Sequence, residues 1–223
     1  MKIKAIIFDL DGTLIDSMGL WREVDEEFLC SRGITVPEDL FDNMPSGNSF
    51  IQTAQYFRDR FALKETNSQI MQIWTDMVAK HYASSVPLKD GVAKLLPQIK
   101  AAGLKLGLAT SNSYELARSA LTFNDVWDCF DAVSTGDADV LGKPYPDIFL
   151  NCARGLQLNP AECIAIEDTL TGVQSAQAAG MMTLAIYDED SKKHHDEIGR
   201  LAHAFCLDYR EIIRELRKLR VEI

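Results

Sequence analysis

Long apolar runs are missing from this chain of 223 residues. A membrane-spanning helix needs about 18 or more consecutive apolar residues, and the chain has no such stretch. The only apolar segment near the N-terminus, Ala5 to Phe8, is too short for the apolar part of a signal peptide. The sequence therefore predicts neither a membrane span nor an export signal, and we expect a cytoplasmic protein.

Closely spaced cysteines are also lacking. The five cysteines are scattered along the chain without a CxxC pair, whereas zinc sites and redox pairs typically use such spacing. We therefore predict that these side chains are small buried apolar groups rather than zinc ligands or disulfide partners.

Positive charge is in the minority, because 23 Lys and Arg residues stand against 33 Asp and Glu residues, a net charge of −10. Nucleic acids and anionic membrane surfaces attract clusters of Lys and Arg, so we expect neither as a partner. Hydrophobic residues make up 47% of the chain, which is enough for a substantial core. If this acidic protein acts on an anionic ligand, it must place its cations, or a metal ion, locally.

The segment KIKAIIFDLDGTL, near the N-terminus, places two carboxylates at the end of an apolar run. The run Ala5 to Phe8 is short and rich in β-branched and aromatic residues, which is typical of a buried parallel strand. Because strand side chains alternate, Asp9 and Asp11 are predicted to lie on the same side. Such a pair suits a divalent metal ion, or a nucleophile beside a general acid. An ordinary strand end followed by an acidic turn is the alternative, and Gly12 provides the backbone freedom for that turn.

Helix and strand patterns divide the chain into two parts. Residues 16–87 show helical spacing without a convincing strand, including a short helix opened by Pro37, and predict an all-helical insert. Residues 88–223 alternate strands with helices of roughly ten residues, which is typical of βαβ units. We therefore expect an α/β fold, with a doubly wound parallel sheet built from residues 1–15 and 88–223 and a helical cap domain inserted at residues 16–87.

Three further polar clusters each follow a predicted strand or its loop. They are Thr110, Ser111 and Asn112 in the motif TSN; Lys143 in the motif GKPYPD; and Glu167 with Asp168. Taken alone, TSN is more often a helix cap and a loop lysine is more often solvated. Their shared position gives them weight, because ligands bind beyond the carboxyl ends of the strands in open α/β sheets. Carboxylates at a buried strand end are costly unless paired, and a divalent ion is their natural partner.

The DLDGT motif, followed in order by TSN, GKPYPD and ED, resembles the four motifs of the haloacid dehalogenase (HAD) superfamily. The resemblance extends over nearly the whole chain and includes a helical cap between the first two motifs, as in the subgroup of β-phosphoglucomutase-like and phosphoglycolate phosphatase-like enzymes. It implies a Rossmann-like core and a Mg²⁺-dependent phosphatase that hydrolyses a small phosphomonoester, such as a sugar phosphate, through an aspartyl phosphate. We expect a monomer whose partner is a small phosphorylated metabolite.

The resemblance also implies a role for each motif residue. The expected catalytic residues are the nucleophile Asp9, the general acid and base Asp11, and the phosphoryl-binding side chains Thr110 and Lys143. The expected phosphate-binding residues are Gly12, Ser111 and Asn112. The expected Mg²⁺ ligands are Asp9, Asp11 through its backbone carbonyl, Glu167 and Asp168.

Two other functions compete with hydrolysis. β-Phosphoglucomutases, which resemble this chain, carry a histidine on the first cap helix, and Trp21 stands at that position here. A positioned acid or base contributes about 10²–10⁴-fold to rate, so its absence favours a hydrolase over a mutase. Receiver domains of response regulators also group an acidic pair, a Thr or Ser and a Lys around a phosphorylated aspartate on a parallel sheet, but they are about half as long and lack a helical insert. The DxDG motif on the first strand therefore argues against a receiver module.

Overall fold

The computed structural model describes residues 2–40, 50–136, 141–221 and 223. Six strands in these residues form one sheet: β1 (Ala5–Phe8), β2 (Lys105–Ala109), β3 (Ala132–Ser134), β4 (Cys163–Glu167), β5 (Met182–Ile186) and β6 (Ala204–Cys206). The sheet order is β3-β2-β1-β4-β5-β6, and every pairing is parallel. The strand that carries the acidic pair is therefore central, as its apolar composition predicts.

Helices fill the segments between the strands. The described residues contain α1 (Met18–Cys30), α2 (Phe50–Arg60), α3 (Asn67–Tyr82), α4 (Val92–Ala101), α5 (Tyr114–Phe123), α6 (Asp147–Gly155), α7 (Leu170–Ala178), α8 (His195–Leu201) and α9 (Tyr209–Lys218). Helices α1 to α3 form the predicted all-helical insert between β1 and β2.

The side chains of β1 alternate between two apolar layers. Ile6 and Phe8 belong to a cluster that includes residues of α4, α5 and α9 and continues into the cap. Ala5 and Ile7 face the other side and belong to a cluster with residues of α6 and α7. All four are fully buried. Because both faces of the sheet are covered, the doubly wound α/β fold is confirmed.

Two adjacent linkers join the cap to the sheet. The backbone N–H of Asp16 donates to the carbonyl of Pro87 at 3.0 Å, and Ile15 forms an antiparallel bridge with Leu88. The chain thus leaves and re-enters the sheet region at one place. The division into residues 1–15 plus 88–223 and residues 16–87 as separate domains stays a prediction that this arrangement supports.

Some elements differ from the sequence-based expectations. The backbone from Pro37 to Leu40 forms a turn, in which the Leu40 N–H donates to the Pro37 carbonyl at 3.1 Å, and the rest of the helix predicted there lies outside the described residues. Helix α8 and strand β6 were not predicted, because three strand residues and one short polar helix show no clear periodicity. Among the helices described, none has the length and apolar character needed to cross a bilayer.

Candidate active site

The carboxyl ends of three neighbouring strands meet at one edge of the sheet. Asp9 directly follows β1, Thr110 directly follows β2, and Glu167 is the last residue of β4. The β1 and β4 ends are tied together by a hydrogen bond from the Asp9 N–H to the Ile166 carbonyl at 3.0 Å. A cavity of about 310 Å³ separates this edge from the cap, and it is lined by residues of both.

Lys143 connects the first and last of these strand ends. Its Nζ lies 2.6 Å from Asp9 Oδ1 and 2.5 Å from Glu167 Oε1, and all three side chains are buried. Burial alone would favour the neutral amine, but Asp9 and Glu167 hold the pKa of Lys143 above its usual value. Burial raises the pKa of Asp9 to about 7, against the opposing effect of Lys143 and with a further increase from Glu167. The predicted nucleophile therefore faces a fixed positive charge.

Three carboxylates gather around this single lysine. Asp9, Glu167 and Asp168 each offer an oxygen atom, and these atoms lie within 4.8 Å of one another. Thr13 Oγ1 donates to Asp168 Oδ1 at 2.8 Å. Burial, together with repulsion from Glu167 and Asp9, raises the pKa of Asp168 well above its ordinary value. An oxygen-only set with excess negative charge fits a hard divalent cation such as Mg²⁺.

Two glycines allow the carboxylates to approach the backbone. Gly12 has a φ of +74°, and a Cβ built there would lie 2.4 Å from Asp168 Oδ2. A Cβ at Gly172, in the first turn of α7, would lie 1.8 Å from Glu167 Oε1. Thr169 caps α7 by accepting from the Gly172 N–H at 3.1 Å, and its hydroxyl donates to Glu167 Oε2 at 3.0 Å. Glu167 is thus fixed by the start of the helix that follows it.

The carboxylate of Asp11 lies on the cap side of the cavity. Its Oδ1 accepts from Ser17 Oγ at 2.6 Å, from the Tyr82 hydroxyl and, at 3.4 Å, from Trp21 Nε1. Its Oδ2 accepts from Asn112 Nδ2 at 3.0 Å. Trp21 Nε1 also donates to the Tyr82 hydroxyl at 2.9 Å. The side chain of Asp11 is therefore held by residues of both the sheet edge and the cap, and it is separate from the three-carboxylate group.

Most of the predicted site residues line the cavity together. They are Asp9, Asp11, Thr110, Ser111, Asn112, Lys143, Glu167 and Asp168. Gly12 leaves room for the Asp168 carboxylate, as described above. The residue that caps α5 is Ser113, directly after the TSN motif, because Ser113 Oγ accepts from the Leu116 N–H of α5 at 3.3 Å. Asn112 donates to Asp11, so the structure places it as an orienting group for that carboxylate.

Three residues around Asp11 were not recognised from the sequence. Ser17 occupies the N-cap position of α1, but its hydroxyl donates to Asp11 and does not cap the helix. Trp21 and Tyr82 resembled core aromatic residues of α1 and α3. Tyr82 extends the buried stripe of α3, and its hydroxyl was the one available signal. A buried tyrosine hydroxyl requires a hydrogen-bond partner. Periodicity alone does not identify that partner.

Comparison with known proteins agrees with this architecture. The sequence profile of the haloacid dehalogenase-like hydrolase family matches residues 6–186. Hexitol phosphatase B of Escherichia coli (strain K12) is 30% identical over 191 residues, which cover 83% of this chain and 84% of that protein. β-Phosphoglucomutase of Bacillus subtilis (strain 168) is 29% identical over 199 residues, which cover 82% and 83%.

A solved structure shows the same fold. A variant of CbbY from Rhodobacter sphaeroides, in complex with xylulose-(1,5)bisphosphate, matches with a TM-score of 0.82 over 93% of this chain and 95% of that chain, at 24% identity. Sequence, motifs and fold agree, and the chain belongs to the haloacid dehalogenase-like hydrolase family as a phosphohydrolase enzyme.

Proposed function

We propose that this enzyme hydrolyses a small phosphomonoester through an aspartyl phosphate on Asp9, with Mg²⁺ as its cofactor. The observation that carries the proposal is the contact of Asp9 with Lys143 beside Glu167 and Asp168, at the floor of a cavity covered by the cap. A carboxylate nucleophile next to a fixed cation suits attack on an anionic phosphoryl group.

Two displacements at phosphorus make up the reaction. A carboxylate oxygen of Asp9 bonds to phosphorus while the bond to the leaving oxygen breaks, and Asp11 gives that oxygen a proton. Water then attacks the aspartyl phosphate, Asp11 takes up a proton from it, and the Asp9–phosphorus bond breaks to release inorganic phosphate. Ser17, Tyr82 and Asn112 hold Asp11 in the wall of the cavity that Asp9 also lines, so the same carboxyl can serve both steps.

Charge in the transition state is balanced by groups that are in place before substrate binds. Lys143 faces the nucleophile, and Thr110, which lines the same cavity, would donate its hydroxyl to a phosphoryl oxygen. Asp9, Glu167, Asp168 and the Asp11 backbone carbonyl would hold Mg²⁺, which when bound supplies further positive charge at the phosphoryl group.

The size of the cavity supports a small substrate. Its volume, about 310 Å³, is at the lower end of the range of about 300–1,000 Å³ found for small-molecule sites. A sugar phosphate or a metabolite of similar size suits this space. Action as a cytoplasmic monomer, with no nucleic acid or membrane partner, stays part of the prediction.

The test is a phosphate-release screen over sugar phosphates, sugar alcohol phosphates, nucleotides and phosphoglycolate, with Mg²⁺ and with a chelator. We expect Mg²⁺-dependent release by the wild type and none by Asp9→Asn, because an amide of the same shape cannot attack phosphorus. Asp128→Asn, a change at an exposed aspartate outside the cavity lining, is the matched control. Substantial turnover by Asp9→Asn in saturating Mg²⁺, or full activity in chelator, would refute the proposal.

A sugar phosphate mutase is the second candidate, since β-phosphoglucomutase is among the relatives. The position of the mutase histidine holds Trp21, whose indole donates to Tyr82 and Asp11 and has no acceptor nitrogen with which to act as a base. Phosphorus NMR on β-glucose 1-phosphate, with a catalytic amount of glucose 1,6-bisphosphate, separates the candidates. We expect inorganic phosphate to form faster than glucose 6-phosphate, and the reverse order would establish the mutase.

A further inference from the structure

One face of α1 forms a wall of the cavity. Trp21, Asp25 and Phe28 share this face, because residues three or four apart lie above one another on a helix. Trp21 donates to Asp11, and Phe28 packs against Trp74 of α3 with ring centroids 5.4 Å apart. Asp25 lies between them, about one helical turn, or about 5.4 Å, beyond the residue that contacts the acid and base. A leaving group that extends away from Asp11 along this wall reaches Asp25.

Asp25 is a buried carboxyl on this wall, only 7% exposed. It lines the cavity, and within the described parts of the chain its side chain has no ion pair or hydrogen bond. Burial, with a smaller contribution from Glu26, raises its pKa to about 8. Since no cation of the described residues compensates this group, a polar ligand atom in the cavity would stabilise it.

Trp74 presents a second polar atom without a partner. Its ring packs against Phe28, Phe50 and Phe57, and the side chain is 1% exposed. The indole Nε1 is buried and has no hydrogen-bond partner among the described residues. A buried donor left unsatisfied costs about 1–3 kcal/mol. Trp74 also lines the cavity, and a ligand hydroxyl that reached its Nε1 would remove this cost.

We propose that Asp25 and the indole N–H of Trp74 bind hydroxyl groups of the substrate's leaving group, so that the enzyme prefers phosphomonoesters of sugars or sugar alcohols. This inference rests on the phosphatase function proposed above. A hydroxyl satisfies both groups, because it can exchange hydrogen bonds with the protonated carboxyl of Asp25 and can accept from the Trp74 N–H. The nearby rings of Trp21 and Phe50, which also line the cavity, provide apolar contact for the carbon chain. An aryl leaving group would pack against the same wall and would satisfy neither Asp25 nor the Trp74 N–H.

The experiment compares kcat/KM for glucitol 6-phosphate and for p-nitrophenyl phosphate, whose leaving group has no second hydroxyl. For Asp25→Asn, which replaces the carboxyl O–H by an amide, we expect the ratio of the two values to fall about 2–10-fold, the net contribution of one hydrogen bond to an uncharged group. For Trp74→Phe, which keeps an aromatic ring and removes the N–H, we expect the ratio to fall about 2–10-fold. Glu27→Gln changes an exposed acid of the same helix that does not line the cavity and should leave both values unchanged.

The outcomes separate this inference from the function on which it rests. If the wild type hydrolyses p-nitrophenyl phosphate with Mg²⁺ but does not prefer glucitol 6-phosphate, or if Asp25→Asn leaves the ratio unchanged, the hydroxyl-binding site is refuted and the phosphatase stands. If the wild type releases no phosphate from either ester, or if Asp9→Asn remains active, the phosphatase mechanism itself fails.

Discussion

Replacing the buried carboxyl of Asp25 by an amide should stabilise the protein, and increasingly so as the pH rises. The pKa of Asp25 is raised from 3.8 to about 8 by burial. Between these two values the native carboxyl holds a proton that the unfolded chain has released, so the free energy of unfolding of the wild type falls as the pH rises through this window. The amide in Asp25→Asn does not titrate, so the free energy of unfolding of this variant does not fall for this reason.

The size of the effect follows from the pKa difference. Each pH unit in the window contributes up to about 1.36 kcal/mol, so the wild type loses at most about 4 kcal/mol relative to Asp25→Asn between pH 5 and pH 8. Because the carboxyl borders a cavity that water can enter, we expect a change of about 2–4 kcal/mol.

Denaturant unfolding of both variants at pH 5, 6, 7 and 8, without metal or substrate, measures this difference directly. Comparing two variants at each pH cancels the titration of all other groups. Glu27→Gln, at an exposed position on the same helix, should give a nearly constant difference from the wild type. A pH-independent difference between Asp25→Asn and the wild type, or a less stable Asp25→Asn at pH 8, would refute the assignment of Asp25 as a buried uncompensated acid.

Three further outcomes test the site itself. Asp168→Asn should raise the Mg²⁺ concentration needed for half-maximal activity, and Ca²⁺ should inhibit because its looser coordination disturbs in-line geometry; unchanged metal titration contradicts this. Gly172→Ala should displace Glu167, whose Oε1 lies 1.8 Å from the new Cβ, and should cost about 1–3 kcal/mol in unfolding free energy, whereas Gly19→Ala meets open space and should be neutral or stabilising. Tyr82→Phe should lower kcat about 10-fold, the value of one hydrogen bond to a charged group, with little change in KM, and an unaltered kcat would exclude a positioning role.

The sequence by itself determined the fold class and the chemistry of the strand ends. Burial on both faces of a parallel strand demands a continuous apolar run, so residues 5–8 and 163–166 are visible as strands without any partner. The polar residues after such runs are equally local signals, and this is why Asp9, Thr110 and Glu167 could be placed at one edge of the sheet before the sheet order was known.

Only the tertiary structure decided which distant side chains meet. Lys143 and Asp9 are 134 positions apart along the chain, and periodicity predicts which face of an element is buried without identifying what it contacts. The same limit applied to the cap, where Tyr82 and Asp25 occupy buried faces that look apolar in sequence. Their roles follow from the cavity between the cap and the sheet edge, because a buried hydroxyl or carboxyl takes its function from the partner that satisfies it.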